Sequence, residues 1–145
     1  MPSARSEKKI MVMIEVVYSG SKKCTATHQE GVKLQTDAPK DIGGDASAFS
    51  PTDLVAAALA SCILTTMGMF AERHGIDLSG SRVEIQKEMI SDPMRRIGSL
   101  KTKVMLPGER VRGEMRKTLE RVAETCPVHK TLHPDVKIPI EFAYE

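Results

Sequence analysis

The chain has 145 residues, 41% apolar and 28% charged, which fits one globular domain over residues 1–145 with a core of its own and excludes a disordered chain. Its net charge of +2 is spread without a basic run, and aromatic residues make up only 3% with no Trp, so nucleic acid is not an expected partner. Three cysteines are too few and too odd in number for a secreted disulfide framework; a reducing, cytoplasmic setting is expected, where cysteines are either inert packing or chemically active.

Residues 1–9 are polar and expected to fray. The apolar run behind them is broken by Glu15 and no small-residue cleavage site follows, so it does not read as a signal peptide. Ile10, Val12, Ile14, Val16 and Tyr18 alternate as a strand does, and Met11, Met13 and Val17 on the other face imply cover from both sides. A turn at Ser19-Gly20 leads to shorter strands over 23–28 and 32–36, joined at Glu30-Gly31, and the three make a meander. Residues 37–49, with Pro39, Gly43 and Gly44, lack periodicity and are expected to be a loop, of a length that often carries function.

A helix start follows: Ser50 as N-cap, Pro51 at the first helical position and Asp53 placed to reach back to the cap. The helix should run to about His74, with Gly75 as its stop, a length of roughly 36 Å. Its apolar residues go nearly all round, so a central, buried helix is expected. Residues 54–71 carry no charge and reach the length of a marginal membrane span. They are rich in Ala and include Ser61, Thr65, Thr66 and Gly68, so a core helix is expected and no membrane attachment.

Val83, Ile85 and Met89 alternate with polar neighbours, and Leu100, Thr102, Val104 and Leu106 repeat the pattern; a loop around Asp92-Pro93 and Gly98 joins them as a hairpin. Val111, Met115, Leu119 and Val122 mark an amphipathic helix from about Glu109, stopped at Cys126-Pro127, with a short new turn from Pro127. Val136, Ile138, Ile140 and Phe142 form the last strand. Half-polar strands between helices predict antiparallel sheet packed on helices, an α+β fold.

Cys62 lies mid-helix and reads either as a small core residue or as a reactive thiol. Cys126 precedes Pro127-Val128-His129-Lys130; at the N-cap of a turn, free N–H groups and nearby positive charge would favour its thiolate over that of Cys62, although a purely structural cap fits as well. Cys126 and His129 also form a Cys-x-x-His pair, a weak metal signal unless Cys62, His74 or His133 completes it; no metal or other cofactor is expected. Cys24, alternating with Ala26 in a short strand, reads as structural.

The run from Ser50 through Pro51, Thr52 and Asp53 to Ala60-Ser61-Cys62 resembles the central-helix motif of the OsmC/Ohr family, in which a proline and an acidic residue precede an Ala-rich stretch and the first reactive cysteine. Cys126-Pro127-Val128-His129-Lys130-Thr131-Leu132 is similar to that family's second motif, and the element order agrees from about Val12 onward. The resemblance implies antiparallel sheets wrapped around long central helices in an intertwined homodimer. It also implies Cys62 as the thiol that attacks peroxide and Cys126 as the one that resolves it, the reverse of the order that local chemistry favours. Many relatives carry Glu directly after the proline, where this chain has Thr52; Asp53 is the nearby acid, as in the YhfA-like branch. The family also uses an Arg to polarise the nucleophile, and the loop before the helix offers Lys40, which cannot make the bidentate pair.

The implied activity is a thiol-dependent peroxidase acting on organic hydroperoxides, with a lipoyl-type dithiol as reductant and Cys62, Cys126 and Asp53 as site residues. Apolar surroundings of Cys62, with Met67 and Met69 as adaptable lining, would favour a hydroperoxide carrying an alkyl or aryl tail over hydrogen peroxide by about a hundredfold. A redox sensor or ligand-binding protein of slow turnover on the same scaffold is the alternative, and a metal-binding protein a third.

Overall fold

The computed structural model describes residues 9–145, so the fraying expected over residues 1–9 falls, but for Lys9, outside the described residues. These residues form two compact units, divided between Pro51 and Thr52.

In the first unit β1 (Ile14–Gly20), β2 (Lys23–His28) and β3 (Lys33–Asp37) make the predicted antiparallel meander in the order β1-β2-β3. The turn from β1 to β2 needs left-handed backbone at Gly20, Ser21 and Lys22, with φ of 88°, 53° and 63°. β1 starts four residues later than its alternation predicts, because β2 ends at His28 opposite Ile14; Met13 still accepts from the Gln29 N–H at 3.1 Å, but residues 10–12 have no ladder to join. Among the described residues the expected cover on both faces is also absent: Val16 is 60% exposed and Val17 54%.

The loop expected after β3 is tied rather than slack. Asp37, only 1% exposed, accepts from the Ser47 backbone N–H at 2.9 Å and from the Ser47 hydroxyl at 2.6 Å. The chain between them makes a short 3-10 turn at Lys40–Ile42 and passes Gly44, where a Cβ would lie 1.9 Å from the Ala38 carbonyl oxygen; only glycine fits.

The second unit holds all but the first residue of the long helix, α1 (Pro51–Arg73), which runs nearly as predicted. β4 (Arg82–Ile90) and β5 (Arg96–Leu106) form the predicted hairpin, and β6 (Ile140–Tyr144) joins β5 on its other edge. This last pairing is parallel, which departs from the all-antiparallel sheet expected. The stretch between β5 and β6 holds α2 (Glu114–Ala123) and α3 (Pro127–Thr131), enough chain for the crossover that a parallel pair needs. β6 also starts later than its alternation predicts. Pro139 has no N–H to give, yet the carbonyls of Lys137 and Pro139 already accept from Leu100 at 2.8 Å and Thr102 at 2.9 Å.

α2 begins at Glu114 rather than near Glu109, after a turn closed by the Val111 N–H on the Pro107 carbonyl. The core joins Leu59, Ile63 and Met67 of α1 to Leu100, Val104 and Leu106 of β5 and to Val111, Leu119 and Ala123. Burial on α1 is therefore a single stripe, Ala56, Leu59, Ile63, Met67 and Ala71, spaced at helical period. The opposite side, with Ala58, Thr65 and Met69, stays exposed, so the helix apolar nearly all round is covered by its own chain on one face only. By length and composition α1 could cross a membrane; in this fold its buried stripe packs on protein. The α+β class predicted from the pattern is the class found.

Candidate active site

α1 carries Cys62 midway along its length, half-buried, with its Sγ 4.0 Å from Thr66 Oγ1 one turn further on. Cys126 is the residue before Pro127, and its extended backbone (φ −61°, ψ 138°) makes it the N-cap of α3. Proline at the first helical position sets this geometry, and the Cys126 Sγ accepts from the His129 backbone N–H at 3.3 Å. Cys126 belongs to the buried cluster around α1, β5 and α2, and Cys62 packs against the same cluster. The two thiols are near enough that Cys62 opposes the ionisation of Cys126. All three cysteines, Cys24, Cys62 and Cys126, are free thiols in this structure.

Burial pushes the Cys126 thiol above its ordinary pKa. The His129 and Val128 N–H groups act against burial, while the hydrogen bond and charge of Cys62 act with it. This corrects the local reading that gave Cys126 the easier thiolate. The cap is there as predicted, but Cys126 is fully buried, with no measurable exposure, and desolvation outweighs a five-residue helix end.

Asp53 is not brought to the two thiols within the chain. It lies nine positions before Cys62 on α1, about 13 Å along the axis and on the opposite side of the helix. Its Oδ1 accepts from Lys87 Nζ at 2.7 Å, and the same ammonium donates to Thr52 Oγ1 at 2.7 Å. Lys87 went unremarked in the sequence, although a signal was there: it stands at the inward parity of β4 with Val83, Ile85 and Met89, and its side chain is only 18% exposed. Lys40 is exposed in the 3-10 turn of the first unit, and Cys24 is half-buried in β2 opposite Tyr18 and Thr36.

His74 stacks on Phe70 with ring centroids 4.1 Å apart, and His133 lies beside Asp135 on the surface. Among the described residues no group of three or more His, Cys, Asp or Glu is placed to hold a metal ion. A groove of 540 Å³ follows the open side of α1, lined by residues including Leu64, Gly68, Met69 and Ile76, and one of 390 Å³ lies over the sheet at Ile85, Thr102 and Ile140. Neither is lined by Cys62 or Cys126. Met67, expected to line a substrate pocket, is fully buried in the core instead, while Met69 does face the α1 groove.

The model of the family described as OsmC-like protein matches residues 44–141. Among solved structures, a candidate osmotic-stress-induced and detoxification-response protein of Psychrobacter arcticus 273-4 is 36% identical, with a TM-score of 0.85 over 93% of this chain and 98% of that one. An organic hydroperoxide resistance protein OsmC of Legionella pneumophila shares the fold at 18% identity, with a TM-score of 0.76 over 94% of this chain and 99% of its own. The organic hydroperoxide resistance protein OhrB of Bacillus subtilis does so at 21% identity, with a TM-score of 0.67 over 92% and 98%. No curated protein is matched.

Proposed function

The chain belongs to the OsmC-like protein family, and from that premise we propose that it is a thiol-dependent peroxidase reducing organic hydroperoxides, with a role in resistance to oxidative stress. The observation that carries the reading is the pair of free thiols, Cys62 and Cys126, held against one buried cluster by two different helices. The names of the Legionella and Bacillus proteins, both for organic hydroperoxide resistance, support the substrate class.

The order of events follows from burial. Cys126 is closed to solvent and its proton is held tightly, so Cys62, half-buried on α1, meets the peroxide first. Its thiolate attacks one peroxide oxygen: an S–O bond forms, the O–O bond breaks, and the alkoxide leaves as alcohol after taking up a proton. Cys62 is then a sulfenic acid. A neutral sulfenic acid no longer opposes ionisation of Cys126 as the Cys62 thiolate does, and the His129 and Val128 N–H groups then favour the Cys126 thiolate. That thiolate attacks the Cys62 sulfur, an S–S bond forms and water leaves. A dithiol of the lipoyl type returns both cysteines to thiols by exchange. Asp53 completes the proposed set; fixed by Lys87 at the head of α1, it acts by holding the helix rather than by touching the peroxide.

One equivalent of cumene hydroperoxide should give a Cys62–Cys126 disulfide within one chain, read by peptide mapping. In Cys126→Ser, Cys62 should run on to sulfinic acid, because nothing captures the sulfenate. A bond to Cys24 instead, or two free thiols after peroxide, overturns the reading. A slow redox sensor is the second reading, favoured by the distance of Asp53 from Cys62 in the chain; steady-state turnover with a dithiol separates the two.

A further inference from the structure

A threonine inside a helix ordinarily turns its hydroxyl back to a carbonyl three or four residues earlier. Three threonines of this chain do so at helix positions or ends: Thr118 donates to the Glu114 carbonyl at 3.2 Å, Thr125 to Val122 at 2.7 Å and Thr131 to Pro127 at 2.7 Å. Thr66 Oγ1 instead stands 4.0 Å from the Cys62 Sγ one turn earlier, a contact in which either atom can be the donor. Both residues are half-buried, so water competes only in part for the contact.

Resting on the reading of Cys62 as the attacking thiol, we propose that Thr66 is a positioning residue for that reaction, its hydroxyl donating to the ionised Cys62 sulfur and holding it in the attacking form. A separation of 4.0 Å is the outer edge of a hydrogen bond to sulfur. A thiolate is a much stronger acceptor than a thiol, and small side-chain adjustments close the remaining gap. Cys126 lies near the same sulfur, but it is consumed when its own sulfur bonds to Cys62. Thr66 takes part in no bond change, so it is a donor present at the start of every cycle. Thr65, next to it but exposed on the open side of α1, is the built-in control.

Alkylation of Cys62 by iodoacetamide on the full chain, read by peptide mass spectrometry, tests the role without peroxide. Thr66→Val should slow it about tenfold at neutral pH, and Thr66→Ser should restore the rate to within about twofold of the parent. The deficit should narrow as the pH rises to about 10, where thiols ionise unaided. Thr66→Ala guards against misfolding of the valine variant and should show the same loss with helical circular dichroism retained, while Thr65→Val should change nothing. Parent-like rates in both Thr66→Val and Thr66→Ala, or equal slowing in Thr66→Ser, overturn the proposal. Oxidation of the parent by cumene hydroperoxide tests the peroxidase reading separately. If Cys62 resists the peroxide while the alkylation deficit stands, the hydrogen bond survives and its part in peroxide reduction falls.

Discussion

Asp37 accepts two hydrogen bonds from Ser47 and lies 3.4 Å from Lys23, and these partners hold its carboxyl down at about 2, the Ser47 hydroxyl first among them. A carboxyl whose pKa is lower folded than unfolded stabilises the fold above its unfolded value and loses that contribution as pH falls through the folded one. The thermal midpoint should therefore drop between about pH 4 and about pH 2, and Asp37→Asn should start lower and lack that part of the drop; calorimetry across the range checks both. At this scale the sequence is half legible. Cys62 and Cys126 stand out by motif, and the cap at Cys126 by the proline after it. The chemical state of Cys126 does not, because its burial comes from α1, β5 and α2 meeting around it, which no local window contains.

The head of α1 is fastened to β4 by one ammonium group bridging Thr52 and Asp53. Replacing Lys87 by Met keeps the stem and removes the charged donor, and should cost about 1–2 kcal/mol of unfolding free energy. Denaturant titration of Lys87→Met, Asp53→Asn and the double variant should show non-additivity of about 1 kcal/mol; strict additivity would mean that the pair does not act as a unit. Period and punctuation give away most elements: β2 matches its predicted bounds, and α1 matches to within a residue at its end. Ladder partners are not legible in the same way. β1 loses residues 10–13 because β2 has ended, and β6 runs parallel because two helices intervene; neither fact is written in the strand itself.

For the molecule as a whole, the uncovered apolar surface is the dominant feature: the open side of α1 with Ala58, Thr65 and Met69, and both faces of β1. Surface of this kind asks for a partner, and a homodimer is the proposed one. Light scattering at micromolar concentration should return twice the chain mass of 15.9 kDa, and Met69→Lys should shift it towards the monomer; a parent of single-chain mass sinks the dimer. The parallel strand at the edge of the second sheet bears on how the molecule is made. The meander and the β4–β5 hairpin close over a few residues each, whereas β6 must wait for 107–139 to fold back onto β5. Cys126 lies inside that late segment. Until it docks, all three thiols are open to one another, so recovery from denaturant should fall in air and be restored by a reducing agent, the lost material being mispaired through Cys24.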